Sequence, residues 1–195
     1  MAARVFLLFT LGYFLSYFYR SANAVLAKDL SQDLGLGPAE LGFMTSLFYL
    51  SFAAVQLPLG SLLDRYGSRI ITPALLLVAS LGSVVFGLAQ SFPVLALGRA
   101  LIGVGMAAAL MGSLKAFSLW FPRTYATVST LLVGLGATGG FVVPPVLGYF
   151  VRAYGEARGY PMGYTVYVAL GLLALLLVWL LSATKREVVR AQERA

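Results

Sequence analysis

The chain has 195 residues, 60% of them hydrophobic and only 11% charged, with a net charge of +7 and a mean hydropathy of +0.88. That composition belongs to membrane proteins rather than to a soluble domain, and basic residues scattered through short loops form no stripe that would bind nucleic acid. There is neither Cys nor His, which excludes thiol chemistry and removes the commonest metal ligand and general base, so no metal centre, cofactor or enzymatic activity is expected.

Six apolar stretches reach the roughly 20 residues needed to cross a bilayer. They are 5–27, 41–63, 70–89, 94–120, 125–151 and 163–183. The expected architecture is an all-α membrane protein, a six-helix bundle over residues 1–183 followed by a charged tail at 184–195. Asp29, Gly35, Gly37, Pro38 and Pro93 read as helix stops and turn formers in the connections. Residues 5–19 follow Arg4, and Ala22-Asn23-Ala24 fits a signal-cleavage pattern. Apolar character resumes to Ala27 and five more spans follow, which favours a retained first helix.

One side of the predicted bundle carries Arg4, Arg65, Arg69, Arg123, Lys185, Arg186, Arg190 and Arg194, and the other only Lys28, Arg152 and Arg158. By the positive-inside rule both ends are cytoplasmic, in a multi-pass protein of the cell (inner) membrane. The third and sixth spans hold no charge and can face lipid. The first and fourth hold Arg20, Arg99 and Lys115, and the fifth is rich in Gly and Pro. The first, fourth and fifth are therefore expected to form the interior set.

In the first span Tyr13, Ser16, Tyr17, Arg20 and Asn23 share a face about 120° wide at 100° per residue. A polar stripe with a guanidinium inside a membrane helix reads as a pathway lining. The guanidinium can hold a carboxylate or phosphate through two parallel hydrogen bonds. The competing reading is that Arg20 snorkels to the outer headgroups. In the fourth span Lys115 lies about 160° from Arg99 on an ideal helix, so both line one pathway only if the helix kinks. Lys115, near the cytoplasmic end, reads first as a snorkelling anchor. Gly103-Val104-Gly105-Met106-Ala107-Ala108 fits the G-x-G-x-x-A dinucleotide pattern, but inside a membrane span with no preceding strand it carries no such meaning.

The stretch from Gly60 to Arg69 joins the second and third spans. Gly67 supplies positive φ for a tight turn, Gly60 is expected to let another helix approach, and Asp64 needs a basic partner, for which Arg69 is at hand. With Arg65, these residues match five of the six fixed positions of G-x-x-x-D-[RK]-x-G-[RK]-[RK], Ser68 being the departure. This pattern resembles the loop between the second and third helices of the major facilitator superfamily. Arg99-Ala100-Leu101-Ile102-Gly103-Val104-Gly105 resembles that family's R-x-x-x-G-x-G. Lys115 with Trp120-Phe121-Pro122, followed by Pro144-Pro145, resembles its organic anion:cation symporter and organophosphate-exchanger branch.

The resemblance implies one half of a facilitator fold, the N-terminal six helices as two inverted three-helix repeats. It implies secondary transport of a small organic anion, with a second six-helix half, from another chain or a homodimer, completing the carrier in the bilayer. Arg20 is then the principal anion-binding residue, with Tyr13, Tyr17 and Asn23 beside it and Arg99 in support. Gly60, Asp64, Arg65, Gly67 and Arg69 form the gating motif, and Gly103, Gly140, Pro144 and Pro145 serve helix packing. Two acids of the family pattern are replaced, by Tyr19 before Arg20 and by Met106 seven beyond Arg99, so proton coupling by that route is not implied. Two rivals are a drug or cation efflux carrier, which usually carries a buried acid this chain lacks, and a non-transporting assembly or regulatory subunit on the same scaffold.

Overall fold

The computed structural model describes residues 2–158 together with Leu173 and Leu176, which are helical. The sixth predicted span, 163–183, and the tail, 184–195, otherwise lie outside the described residues. Six helical elements follow one another: α1 (Ala2–Leu34), α2 (Pro38–Tyr66), α3 (Ser68–Gly87), α4 (Phe92–Met106), α5 (Ala108–Trp120) and α6 (Tyr125–Arg158). They are not six membrane spans. α4 and α5 form one 29-residue rod, and the described residues hold four helical segments long and apolar enough to cross a bilayer: α2, α3, the α4–α5 rod and the first part of α6.

The helices outrun the apolar stretches, and so the connections are shorter than predicted. Asp29 lies within α1, which ends at Gly35 with φ +65°, a left-handed terminus that glycine adopts without a Cβ penalty. α2 then starts at Pro38, whose missing N–H costs nothing in a first turn. The Gly37 N–H donates to Glu40 Oε2 at 2.8 Å. Between α2 and α3 the link is one residue, Gly67, at φ +75°, and its N–H bonds back to Leu63 O at 3.0 Å.

The closest packing runs along α3 and the α4–α5 rod. Gly98, Gly105 and Gly112 recur every seven residues on the rod and meet Phe86, Ala79 and Thr72, which recur every seven in the opposite direction on α3. A Cβ on Gly98 would stand 2.6 Å from Phe86 N, and one on Gly105 would overlap the Ala79 backbone. From the other side Gly82 faces Leu101 and Ile102, where an added Cβ would lie 2.7 Å from Leu101 Cβ. Between membrane helices the apolar effect gives no preference for protein over lipid tails, so backbone approach at small residues supplies the contact. Gly103 packs in the same way on α2, against Phe48 O and Ser51 Oγ.

This seam corrects the expected interior set. The α4–α5 rod is the most enclosed span, 61% of its apolar window being buried. α3, which without charge can face lipid, is 44% buried through its face of Ala79, Ser80, Gly82 and Ser83, while Ile70, Leu77 and Leu81 stay exposed. The fifth span, α6, expected inside, is only 18% buried. Its glycines Gly136, Gly139 and Gly140 meet α1, while Phe141, Pro144, Pro145 and Tyr149 point outward. Glycine content marks one close contact along a helix, not its enclosure on all sides.

At the Gly67 turn, Lys115 Nζ donates to Asp64 Oδ1 at 2.8 Å. Lys115, read from sequence as a lipid anchor, is thus the partner of Asp64, and the Arg69 expected there is exposed and forms no pair with it. Arg65 lies over the Tyr66 ring at 5.3 Å. Asp64 and Lys115 side chains are 72% and 38% exposed, and an ion pair that open is worth at most about 1 kcal/mol. Gly60, expected at a helix crossing, has no neighbour within 4 Å of a Cβ placed on it.

Two outcomes follow for the isolated chain, both read by thermal unfolding in detergent. Gly105→Ala should cost about 1–3 kcal/mol by overpacking the seam, whereas Gly60→Ala should gain about 0.5–1 kcal/mol from its helical position in open space. Asp64→Asn should move stability by no more than about 1 kcal/mol. A larger fall would make the Asp64–Lys115 pair a structural element of the half.

Candidate functional site

The polar residues of α1 share one face of the helix but differ in their surroundings. Tyr13 is buried beneath Gly136 of α6, where any side chain larger than hydrogen would enter its ring. Gly139 lies against Phe14 O and Tyr17 Cβ, and a Cβ on Gly140 would rest 3.6 Å from the Tyr17 ring. The α6 glycines therefore press on the backs of both tyrosines and fix their rings edge to face, 5.2 Å apart. The Tyr13 hydroxyl donates to the Tyr17 hydroxyl at 3.4 Å. That leaves the Tyr17 proton uncommitted. Ser16, on the predicted pathway face, is instead buried with no hydrogen-bond partner for its Oγ. Asn23 lies in α1, and its side chain falls outside the described residues.

Arg20 comes next along the stripe and is half-buried. Its guanidinium carbon lies 5.2 Å from the centre of the Tyr17 ring and 5.0 Å from that of Phe52 on α2. Its Nε is buried with no hydrogen-bond partner, and no acid among the described residues pairs with it. The site thus presents hydrogen-bond donors, the guanidinium N–H groups and the Tyr17 O–H, with aromatic faces around them. Such a set accepts an oxyanion and offers a cation no carboxylate.

Arg99 has a different setting. It is 1% exposed, and its Nη1 donates to the Tyr19 carbonyl at 3.0 Å while its guanidinium carbon lies 4.8 Å from the Phe48 ring centre. Tyr19 is fastened in turn, its hydroxyl 2.5 Å from Ser83 Oγ, which donates to Ala79 O at 2.8 Å. Arg99 therefore joins α4 to α1 and to the α2 aromatic row. It meets the same α2 face as Arg20, because Phe48 and Phe52 are one helical turn apart with rings stacked at 6.3 Å.

Those two phenylalanines, and Gln56 one turn further on, are what the sequence reading passed over. Gln56 Nε2 donates to Ala107 O at 3.2 Å, where the α4–α5 rod is interrupted and Ala107 N bonds to Val104 O instead of one residue further back. The available signal was the spacing Phe48, Phe52, Gln56, one face of α2 aimed at both cationic helices.

Residues 9–195 match the profile of the Major Facilitator Superfamily. A 141-residue stretch is 32% identical to an uncharacterized transporter, YybO, of Bacillus subtilis, covering 72% of this chain and 32% of that protein. Over 148 residues the chain is 30% identical to a probable sulfoacetate transporter of Cupriavidus necator, covering 74% and 34%. Over 176 residues it is 28% identical to a probable L-galactonate transporter of Escherichia coli, covering 89% and 37%. The chain thus spans about a third of the length of these relatives. Among solved structures, an inward-facing bacterial homolog of the human lysosomal transporter Spinster aligns with a TM-score of 0.76 at 22% identity, over 94% of this chain and 43% of that one. The inward-open xylose transporter XylE of E. coli aligns at 0.73 and 18% identity, over 92% and 48%. With its helices long enough to span a bilayer and its profile match over nearly its whole length, this integral, multi-pass membrane protein belongs to the Major Facilitator Superfamily, a family of carriers and not of enzymes.

Proposed function

We propose that the chain is the N-terminal six-helix half of a secondary carrier for a small organic anion, with both ends on the cytoplasmic side of the cell membrane. The observation that carries this reading is Arg20, a half-buried guanidinium with its Nε unpartnered and no carboxylate beside it among the described residues. With α1 taken as a membrane helix through its apolar stretch 5–27, a cation in it costs roughly 2.5–3.5 kcal/mol at the bilayer centre, and less toward the ends, unless something offsets it. An anionic substrate is the group whose arrival does so. Tyr17 donates beside it, Tyr13 orders Tyr17 from behind, and Arg99 supports the site by holding α1 through Tyr19 O. Relatives named for sulfoacetate, galacturonate and L-galactonate, all anions, support the substrate class.

Alternating access rocks one bundle against another around a site near the midplane. The outward residues of α2 and α6, among them Leu50, Leu57 and Phe141, belong to lipid and to a second six-helix half. Coverage of 43% and 48% of two solved carriers supports the proportion of one half to a whole.

In an assembled carrier containing this chain, with labelled galacturonate as the probe, Arg20→Ala should abolish uptake while membrane insertion is preserved. Arg20→Lys should keep the charge but lose the two-point geometry, weakening apparent affinity by about 1–3 kcal/mol. Unchanged affinity in Arg20→Ala would make Arg20 a membrane anchor and remove the anion assignment. Reconstituted alone as a verified monomer in liposomes, the chain should show no saturable uptake of the same probe. Saturable uptake there would refute the need for a second half.

A further inference from the structure

Arg20 and Arg99 use aromatic rings on the same helix, and the comparison between them singles out one residue. Arg99 lies over Phe48 and commits a donor to Tyr19 O. Arg20 lies near Phe52 and Tyr17 and commits none of its N–H groups to a described partner. A half-buried guanidinium with nothing to hold it would swing on its three-carbon stem to the headgroups. A carboxylate would hold it, but would also occupy the N–H edge that an anion must reach. An aromatic face attracts the cation through its quadrupole and leaves the N–H donors open, and the attraction grows as water is removed.

We infer that Phe52 is the positioning residue of the proposed anion site: its ring, projecting from α2, holds the Arg20 guanidinium of α1 in place without consuming a hydrogen-bond donor. This rests on the anion-carrier reading above. Tyr17 makes the second ring contact from within α1, but a contact within one helix cannot register one helix against another. Phe52 does so, and its own position is set by stacking on Phe48, which is fully buried beneath Arg99. The recognised group is therefore an oxyanion met by the guanidinium edge and the Tyr17 hydroxyl, with aromatic surface beside it for the apolar face of the substrate.

The test uses the assembled carrier and labelled galacturonate, with Arg20→Ala run in parallel. Phe52→Leu keeps an apolar side chain and removes the π face. It should raise KM about tenfold, the scale of a partly desolvated cation–π contact, and change the maximal rate by less than about twofold. Phe52→Tyr should restore most of the affinity. Trifluorinated phenylalanine at position 52 keeps the ring's shape while draining charge from its face, and it carries the test should Phe52→Leu fail to insert; KM should rise with fluorination. An unchanged KM in these variants, with Arg20→Ala inactive, overturns the role of Phe52 and leaves the anion site standing. Uptake unaffected by Arg20→Ala removes the underlying reading instead. Independently of any substrate, the Arg20 Nε–H proton resonance should be shielded by the rings and move downfield in Phe52→Leu. A resonance that does not move places Phe52 outside the contact and overturns the inference.

Discussion

Every position that matters here depends on how closely the α4–α5 rod can lie against α3. In lipid the apolar effect gives no preference for protein over hydrocarbon, so helices associate where surfaces fit closely. Gly98, Gly105 and Gly112 leave the backbone of the rod bare at three successive levels, opposite Phe86, Ala79 and Thr72. Gly103 lets α2 come against the same rod from another direction. With α2 and α3 drawn onto one helix, Phe48 comes beneath Arg99, and Arg99 reaches the Tyr19 carbonyl of α1. A methyl group in that seam would displace these contacts together, because a close-packed interface has no slack to absorb it.

Arg99 and Arg20 show how one residue type takes on opposite roles. Arg99 is enclosed and hydrogen-bonded, so it acts as a cross-brace among α4, α1 and α2. Arg20 keeps its donors and part of its surface. The difference comes from their neighbours. Tyr19 turns a carbonyl toward Arg99, whereas the surroundings of Arg20 are rings whose faces attract a cation without accepting its protons. Among the described residues no carboxylate pairs with Arg20, and Asp64 pairs instead with Lys115 at the open end of the bundle, where water screens the interaction.

α6 packs on the same principle with a different result. Gly136, Gly139 and Gly140 form a bare strip that receives Tyr13, Phe14 and Tyr17, and Leu132, one turn before it, is buried with Phe9, Tyr13 and Phe117. The strip presses on the site from behind, holding Tyr13 against Tyr17 so that their hydroxyls form a chain. Phe141 and the two prolines are exposed and contribute nothing to that order.

Composition and pattern alone determined that this chain is helical, that it lies in a membrane and that it belongs among the facilitators. Those conclusions rest on local quantities: the length of apolar runs, the spacing of Gly60, Asp64, Arg65, Gly67 and Arg69, and the demand for positive φ that Gly67 meets at +75°. Arg20 and its tyrosines were legible for the same reason, since a helical period places them on one face. What the residues could not say is which helix each face meets. Lack of charge allowed α3 to face lipid and glycine content suggested that α6 lies inside, yet α3 buries one face against the rod and α6 meets α1 along its glycine strip, because burial depends on a partner surface of matching shape. Phe52 carries no charge and fits no motif, and Lys115 sits 51 residues from Asp64 in the chain. Their roles exist only once α2 lies beside α1 and the end of α5, a juxtaposition decided by tertiary packing because contact across helices is a property of the pair and of neither sequence segment by itself.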